Sequence, residues 1–150
     1  VYKRQAQYGS SIWRITPTGM LTHYPIQVNN DNAEDLEVGP DGNLWYTTIG
    51  TIGRITPNGV IKTFAVNGFP RNLASASGHG ALWFNESGST SIGTITTAGH
   101  VATYPLPGAA ALGSAIILNS NIISDANGTI WIAETDGTHV WQLVYPARGT

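Results

Sequence analysis

Cysteine is absent from the 150 residues, which excludes disulfides and thiol nucleophiles but leaves the compartment open. Charge is scarce as well: Asp, Glu, Lys and Arg make up 11% of the chain, with a formal net charge of −2. Apart from the adjacent Lys3 and Arg4, the seven Lys and Arg are scattered singly. No basic stripe exists for a phosphate backbone, so nucleic acid is not an expected partner. No apolar run approaches the roughly 18 residues of a membrane-spanning helix. The longest weakly polar stretch, Leu106 to Leu118, is broken by Pro107, Gly108 and Gly113 and reads as a loop. No Ser-His-Asp arrangement or phosphate-cradling glycine loop is recognisable. The chain opens on Val1 rather than Met, and no signal-peptide pattern follows. Val1 to Gln5 match nothing downstream and are expected to be foreign to the domain or disordered, with the true N-terminus missing and localisation therefore unread.

What the chain does contain is turn and strand chemistry. It is 41% hydrophobic with 18 Gly, rich in Thr, Ser and Asn and poor in strong helix formers, which favours an all-β domain. A repeat then fixes the kind of all-β domain. Ser11-Ile12-Trp13-Arg14-Ile15-Thr16-Pro17-Thr18-Gly19 recurs as Thr51-Ile52-Gly53-Arg54-Ile55-Thr56-Pro57-Asn58-Gly59. It returns as Ser91-Ile92-Gly93-Thr94-Ile95-Thr96-Thr97-Ala98-Gly99, with a worn copy at His139-Val140-Trp141-Gln142-Leu143. The spacing is 40 residues from Ile12 to Ile52, 40 again to Ile92, and 48 to Val140. A second element lies between these copies: Leu44-Trp45-Tyr46-Thr47-Thr48, Leu82-Trp83-Phe84-Asn85-Glu86 and Ile130-Trp131-Ile132-Ala133-Glu134.

Each unit therefore reads as four short strands joined by tight turns. In the second unit they are expected near Glu34–Val38, Asn43–Thr48, Ile52–Thr56 and Val60–Ala65. Runs such as Leu44-Trp45-Tyr46 are apolar on both faces, which suits a sheet packed between two others, as in a propeller blade. A β-sandwich has no reason to repeat every 40 residues. The expected fold is a β-propeller fragment: an incomplete blade over 6–26, blades over 27–65 and 66–106, and an incomplete blade over 107–146. Unit one is expected to supply only its last two strands. A ring needs at least four blades, so the expected partners are the remaining blades of a parent protein, or a second copy meeting an exposed blade face.

The sequence Gly-Pro-Asp-Gly-Asn-Leu-Trp-Tyr-Thr at Gly39–Thr47, Ile-Gly-Arg-Ile-Thr-Pro-Asn-Gly at Ile52–Gly59, and the endings Thr22-His23-Tyr24-Pro25-Ile26 and Thr103-Tyr104-Pro105-Leu106 together resemble the virginiamycin B lyase (streptogramin lyase) family. The resemblance runs from about Ser11 to Leu143. No Trp-Asp dipeptide and no kelch-like Gly-Gly pair competes with it. It implies a seven-bladed ring with a magnesium-dependent site on one face. It also implies opening of a cyclic depsipeptide antibiotic by elimination across its ester C–O bond, with a histidine as general base. In the family that histidine sits in a Pro-His-[Gly/Ala]-Ile stretch at the start of an innermost strand. The matching stretches here are Ala33-Glu34-Asp35-Leu36, Pro70-Arg71-Asn72-Leu73 and, in the fourth unit, Asn119-Ser120-Asn121-Ile122. None holds histidine, so no catalytic residue is assigned and no cofactor is evident within the chain; magnesium is implied only for a full-length protein. A propeller module that binds a peptide, glycan or protein without catalysis is the alternative reading.

The starts of innermost strands and the ends of second strands converge on one face of a propeller. Glu34, Arg71, Asn72, Glu86, Ser120 and Glu134 are accordingly the candidate ligand-face residues, with a solvated edge as the plainer reading. Glu86 and Glu134 stand where the family often has Glu, for which a structural role is preferred. His23, His79, His100 and His139 fall beside outer strands or turns and are expected at the surface. Asp125-Ala126-Asn127-Gly128-Thr129 resembles a calcium loop faintly but lacks its later acidic ligands, and is expected to be a hairpin turn. Asn85-Glu86-Ser87 and Asn127-Gly128-Thr129 match the glycosylation sequon. The long loop Pro105–Asn119 admits two readings, a cover over the ligand face or a neutral insertion.

Overall fold

The computed structural model describes residues 3–7, 11–26, 32–76, 80–106, 121–133 and 140–143. Among them all regular structure is strand, arranged in four antiparallel sheets. The first holds β1 (Lys3–Gln7), β2 (Ser11–Ile15) and β3 (Leu21–Pro25). The second holds β4 (Leu36–Val38), β5 (Leu44–Thr48), β6 (Thr51–Ile55) and β7 (Ile61–Ala65). The third holds β8 (Pro70–Ser75), β9 (Ala81–Glu86), β10 (Ser91–Thr96) and β11 (Val101–Pro105). The fourth holds β12 (Asn121–Ser124), β13 (Ile130–Ala133) and β14 (Val140–Leu143). Each strand pairs with its neighbours in chain order, so every sheet is an up-and-down meander. This is the β-propeller architecture that the repeat predicts.

The first sheet differs from expectation. It has three strands rather than two, because Lys3–Gln7 pairs along its whole length with Ser11–Ile15. The ladder uses backbone groups alone, so β1 takes the second-strand position without the Leu-Trp-Tyr signature of that strand.

Packing follows from the two-residue period of a strand. Leu44 and Tyr46 join Ile12, Ile26 and Ile55 in a core between the first and second sheets. Trp45 points the other way, into a core with Leu73, Leu82, Phe84 and Ile95 between the second and third sheets. Trp83 in turn meets Ile122, Ile130 and Ile132 between the third and fourth. Every residue of β5 is buried, which explains why its sequence is apolar at consecutive positions. Each such side chain contributes roughly 1.5–3 kcal/mol on burial.

Blade thickness is set by cross-strand pairs. Tyr46 lies opposite Gly53, and Phe84 opposite Gly93. A Cβ on either glycine would run into the facing ring. In the fourth sheet the sizes are exchanged, with Ile132 opposite Trp141. One large and one small residue therefore share each of these places.

Gly93→Ala is expected to destabilise the chain by about 3 kcal/mol or more through overpacking, read as a lower urea midpoint. Combining Gly93→Trp with Phe84→Ile, the arrangement of the fourth sheet, should recover part of the loss that Gly93→Trp causes alone. The hydroxyl of Tyr46 is buried without a partner, and burial pushes its pKa up to about 12. Tyr46→Phe should therefore hold or raise stability, by up to about 1 kcal/mol. A clear loss in the same unfolding measurement would show that the hydroxyl has a structural role.

Candidate ligand face between the second and third blades

The starts of β4 and β8, the ends of β5 and β9, and the connector from β7 to β8 all lie at one end of the blades. The Gly39–Gly42 turn and the Thr56–Gly59 turn lie at the other. The chemistry-bearing groups at the first end are distributed by what the backbone there needs. Innermost strands of neighbouring blades run side by side without a shared ladder, so the inner edge of β8 has N–H groups to satisfy. Leu73 N–H donates to Asp35 Oδ2 at 2.7 Å, and Ser75 N–H donates to Glu37 Oε1 at 3.3 Å. Asp35 and Glu37 are two residues apart and so share one face of the strand. On the far side of β8, the hydroxyl of Ser124 donates to Ser75 O at 2.6 Å.

Of the six candidate residues, four are described. Glu34 and Arg71 are brought together as an ion pair, with side chains 27% and 38% exposed respectively. Thr47 holds the same segment by donating its hydroxyl to Arg71 O. Asn72 is held through its backbone, its N–H donating to Asn85 Oδ1 at 2.7 Å, where β8 and β9 shift register between Pro70 and Leu73. Glu86 is not on the open rim. It is buried at the end of β9, opposite Pro70 and beneath Gly68. Burial raises its carboxyl pKa, with the Ser89 hydroxyl opposing the shift. Ser120 and Glu134 lie outside the described residues.

Beside the Glu34–Arg71 pair is an open cleft of about 290 Å³, bounded by Ile49, Phe69, Pro70 and Ser87. Phe69 is 52% exposed and Ile49 50% exposed, so the ion pair is flanked by bare apolar surface. Sequence reasoning missed Asp35, Glu37, Ile49 and Phe69. The alternation of Asp35 and Glu37 on an inner strand was the available signal for the first two; nothing in the chain marks Ile49 or Phe69, which lie in connectors.

The remaining candidates resolve simply. His23 and His100 are exposed, on β3 and in the turn before β11, as expected; His79 and His139 lie outside the described residues, as does most of the Pro105–Asn119 loop. The Asp125–Thr129 segment is a hairpin turn. Asp125 accepts from the N–H groups of Asn127 and Thr129 and from the Trp131 indole. The indole bond foremost holds the carboxyl below its usual range, leaving little for an ion. Asn85 is buried, so its sequon is out of reach in the folded blade.

A family model described as the virginiamycin B lyase family matches residues 5–144. The chain belongs to that family. Among solved structures, virginiamycin B lyase from Staphylococcus aureus aligns with a TM-score of 0.73 at 25% identity, covering 93% of this chain and 50% of that one. The same enzyme is known as a catalytically inactive variant, a histidine changed to alanine, with quinupristin. A gluconolactonase from Xanthomonas campestris aligns at 18% identity with a TM-score of 0.68 over 94% of this chain and 54% of its own, a likeness of fold alone. The chain spans about half the length of the lyase structures. Comparison with curated proteins by sequence gives no match.

The lyase family's resemblance implies a base histidine and magnesium. At the described positions matching that histidine stand Glu34 and Arg71, bound to each other. These groups do not fit a magnesium ion. Glu34 is neutralised by a guanidinium, Asp35 is taken by Leu73 N–H, and the positive charge of Arg71 stands beside both. Among the described residues no three of His, Cys, Asp and Glu converge.

Burial raises the carboxyl pKa of Glu37, and Asp35 adds to the rise against the Ser75 hydrogen bond. The unfolded chain releases this proton near pH 4.5, whereas the folded chain keeps it to higher pH. The associated stability is therefore full below that pH and is lost as pH rises through the folded value. Glu37→Gln, uncharged throughout, should gain on the wild type as pH rises from 4.5 towards neutrality. Urea unfolding across that range checks this; a constant difference means another group titrates.

Proposed function

We propose that these blades form the ligand-binding part of a streptogramin-lyase-like propeller, with the general base and the magnesium ligands, where the activity is present, carried by other blades of a complete ring. The observation behind this reading is the Glu34–Arg71 pair, which stands where the resemblance expects the base, next to the exposed Phe69 and Ile49. A guanidinium is charged at every working pH and cannot accept a proton, so Arg71 is suited to hold a ligand and unsuited to act as base. The apolar shoulders suit the ring and alkyl groups of a cyclic depsipeptide, and Arg71 suits its carbonyl oxygens.

The reaction of a complete ring would be an elimination. A proton leaves the carbon α to a carbonyl, the ester C–O bond breaks, a C=C bond forms and the carboxylate departs. Water is not consumed, so the linear product keeps the mass of the substrate. The full-length protein with magnesium and a type B streptogramin should give this isomeric product, with no oxygen taken from labelled water. In that protein Arg71→Ala should raise KM about tenfold with kcat little changed, the mark of a group that binds ground and transition states alike. A folded, magnesium-supplied full-length protein that leaves the ring intact would remove the lyase reading. The same cleft would then support the alternative, a module that binds a peptide, glycan or protein without catalysis.

A further inference from the structure

The connector from β7 to β8 borders a second cleft, about 410 Å³ in volume, between the outer strands of the second and third blades. Asn67, Ser89, Ser91 and Thr103 contribute amide and hydroxyl groups to its wall, and among the described residues Glu86 is the one charged residue that lines it. Glu86 is only 6% exposed, and its Oε1 has no hydrogen-bond partner. The carboxyl is held rather than loose. The Ser89 hydroxyl bonds to it, and Ser91 N–H in turn donates to Ser89 Oγ at 3.0 Å. Gly68, having no side chain, lets the connector pass close over it, since a Cβ there would sit 3.1 Å from Oε1.

A buried carboxylate oxygen without a donor is costly, and more so when no cation stands near. Among the described residues no Lys, Arg or His lines this cleft. The ion pairs among the described residues are Glu34–Arg71 and Asp41–Arg54, and neither reaches it. A ligand that brings both a positive charge and N–H donors would satisfy Oε1, with the surrounding hydroxyl and amide oxygens taking its remaining protons. A divalent cation is a poorer fit, because a single carboxylate with no second acid is a weak donor set. A neutral sugar would leave the charge uncompensated, and the described lining residues offer no aromatic ring to stack on.

We propose that the cleft beneath Gly68 is a binding site for a primary ammonium group, the lysine side chain of a peptide or a small free amine, which donates to Glu86 Oε1. The site is separate from the Glu34–Arg71 cleft and does not depend on the lyase reading.

The test is a ¹³C NMR titration of the Glu86 carboxyl in the whole chain, using Nα-acetyl-lysine N-methylamide as probe. A saturable shift is expected, with the carboxyl titrating at lower pH when the probe is bound. The same probe acetylated at its Nζ should give none. Propylamine as a second probe separates the sources: equal binding assigns the site to free amines, and weaker binding assigns it to lysine side chains. Glu86→Gln should weaken binding about tenfold or more. The wild-type comparison of the two lysine probes stands even where that variant folds poorly. No saturable shift, an equal shift with the acetylated probe, or a shift produced by magnesium chloride alone would overturn the proposal.

Discussion

A sheet that is hidden on both faces has no solvent side on which to correct a misfit, and this constraint governs the rest of the molecule. Each blade must be thin enough for its neighbours to reach and full enough to leave no void. The chain meets this by fixing the summed size of residues that face each other across strands. Tyr46 over Gly53 and Phe84 over Gly93 place a flat ring where a second side chain would otherwise stand. Ile132 with Trp141 reaches a similar fill with the large residue on the other strand. The third-strand motif is therefore free to vary between Gly and Trp, provided the second strand varies in the opposite sense.

The second constraint comes from the inner edge. Ladders join strands within a blade and stop at its innermost strand, so the N–H groups of β8 facing the preceding blade need acceptors that no ladder supplies. Asp35 and Glu37 provide them. Acids that a sequence reader would offer to a metal are consumed in holding one blade to the next, and the energetic reason is general: an unmet buried N–H costs about 1–3 kcal/mol. Glu34, one residue before Asp35, meets the Arg71 guanidinium of the same strand, β8. Acidic residues one position apart thus have different chemistry, Asp35 accepting from the backbone of β8 and Glu34 pairing with one of its side chains.

Much of the fold was legible because the repeat carries it. The recurrence of Ile-x-x-Ile at 40-residue intervals, and of Leu-Trp-Tyr as Leu-Trp-Phe 38 residues on, located β5, β6, β9 and β10 to within a residue or two. It did not locate β1, whose Lys3–Gln7 sequence has none of the second-strand pattern although it pairs in register with Ser11–Ile15. At the candidate face, the grouping of Glu34 with Arg71 followed from strand ends converging. The depth of Glu86 did not follow, because it depends on Gly68, a connector residue with a φ of 125° that lets the chain pass close over the carboxyl. Exposed Phe69 and Ile49 were likewise invisible, since a period of two says which face a strand residue takes and nothing about a connector.

The two ends of the blades divide the work. At the turn end, Arg14 donates to Pro57 O at 3.4 Å and Arg54 to Thr97 O at 2.9 Å, each clasping the following blade, with Arg54 also over Trp45 and paired to Asp41. Arginine at this place serves packing: its guanidinium covers an aromatic face while its N–H groups meet carbonyls. The equivalent position in the third blade is Thr94, which is too short to reach across, and the polar link to the fourth blade is at the inner strand, from the Ser124 hydroxyl to Ser75 O. Because the turn end is occupied in holding blades together, variation that alters ligand chemistry is least disruptive at the opposite end. That is where the charged pair, the bare apolar residues and the unpartnered carboxylate oxygen are all found.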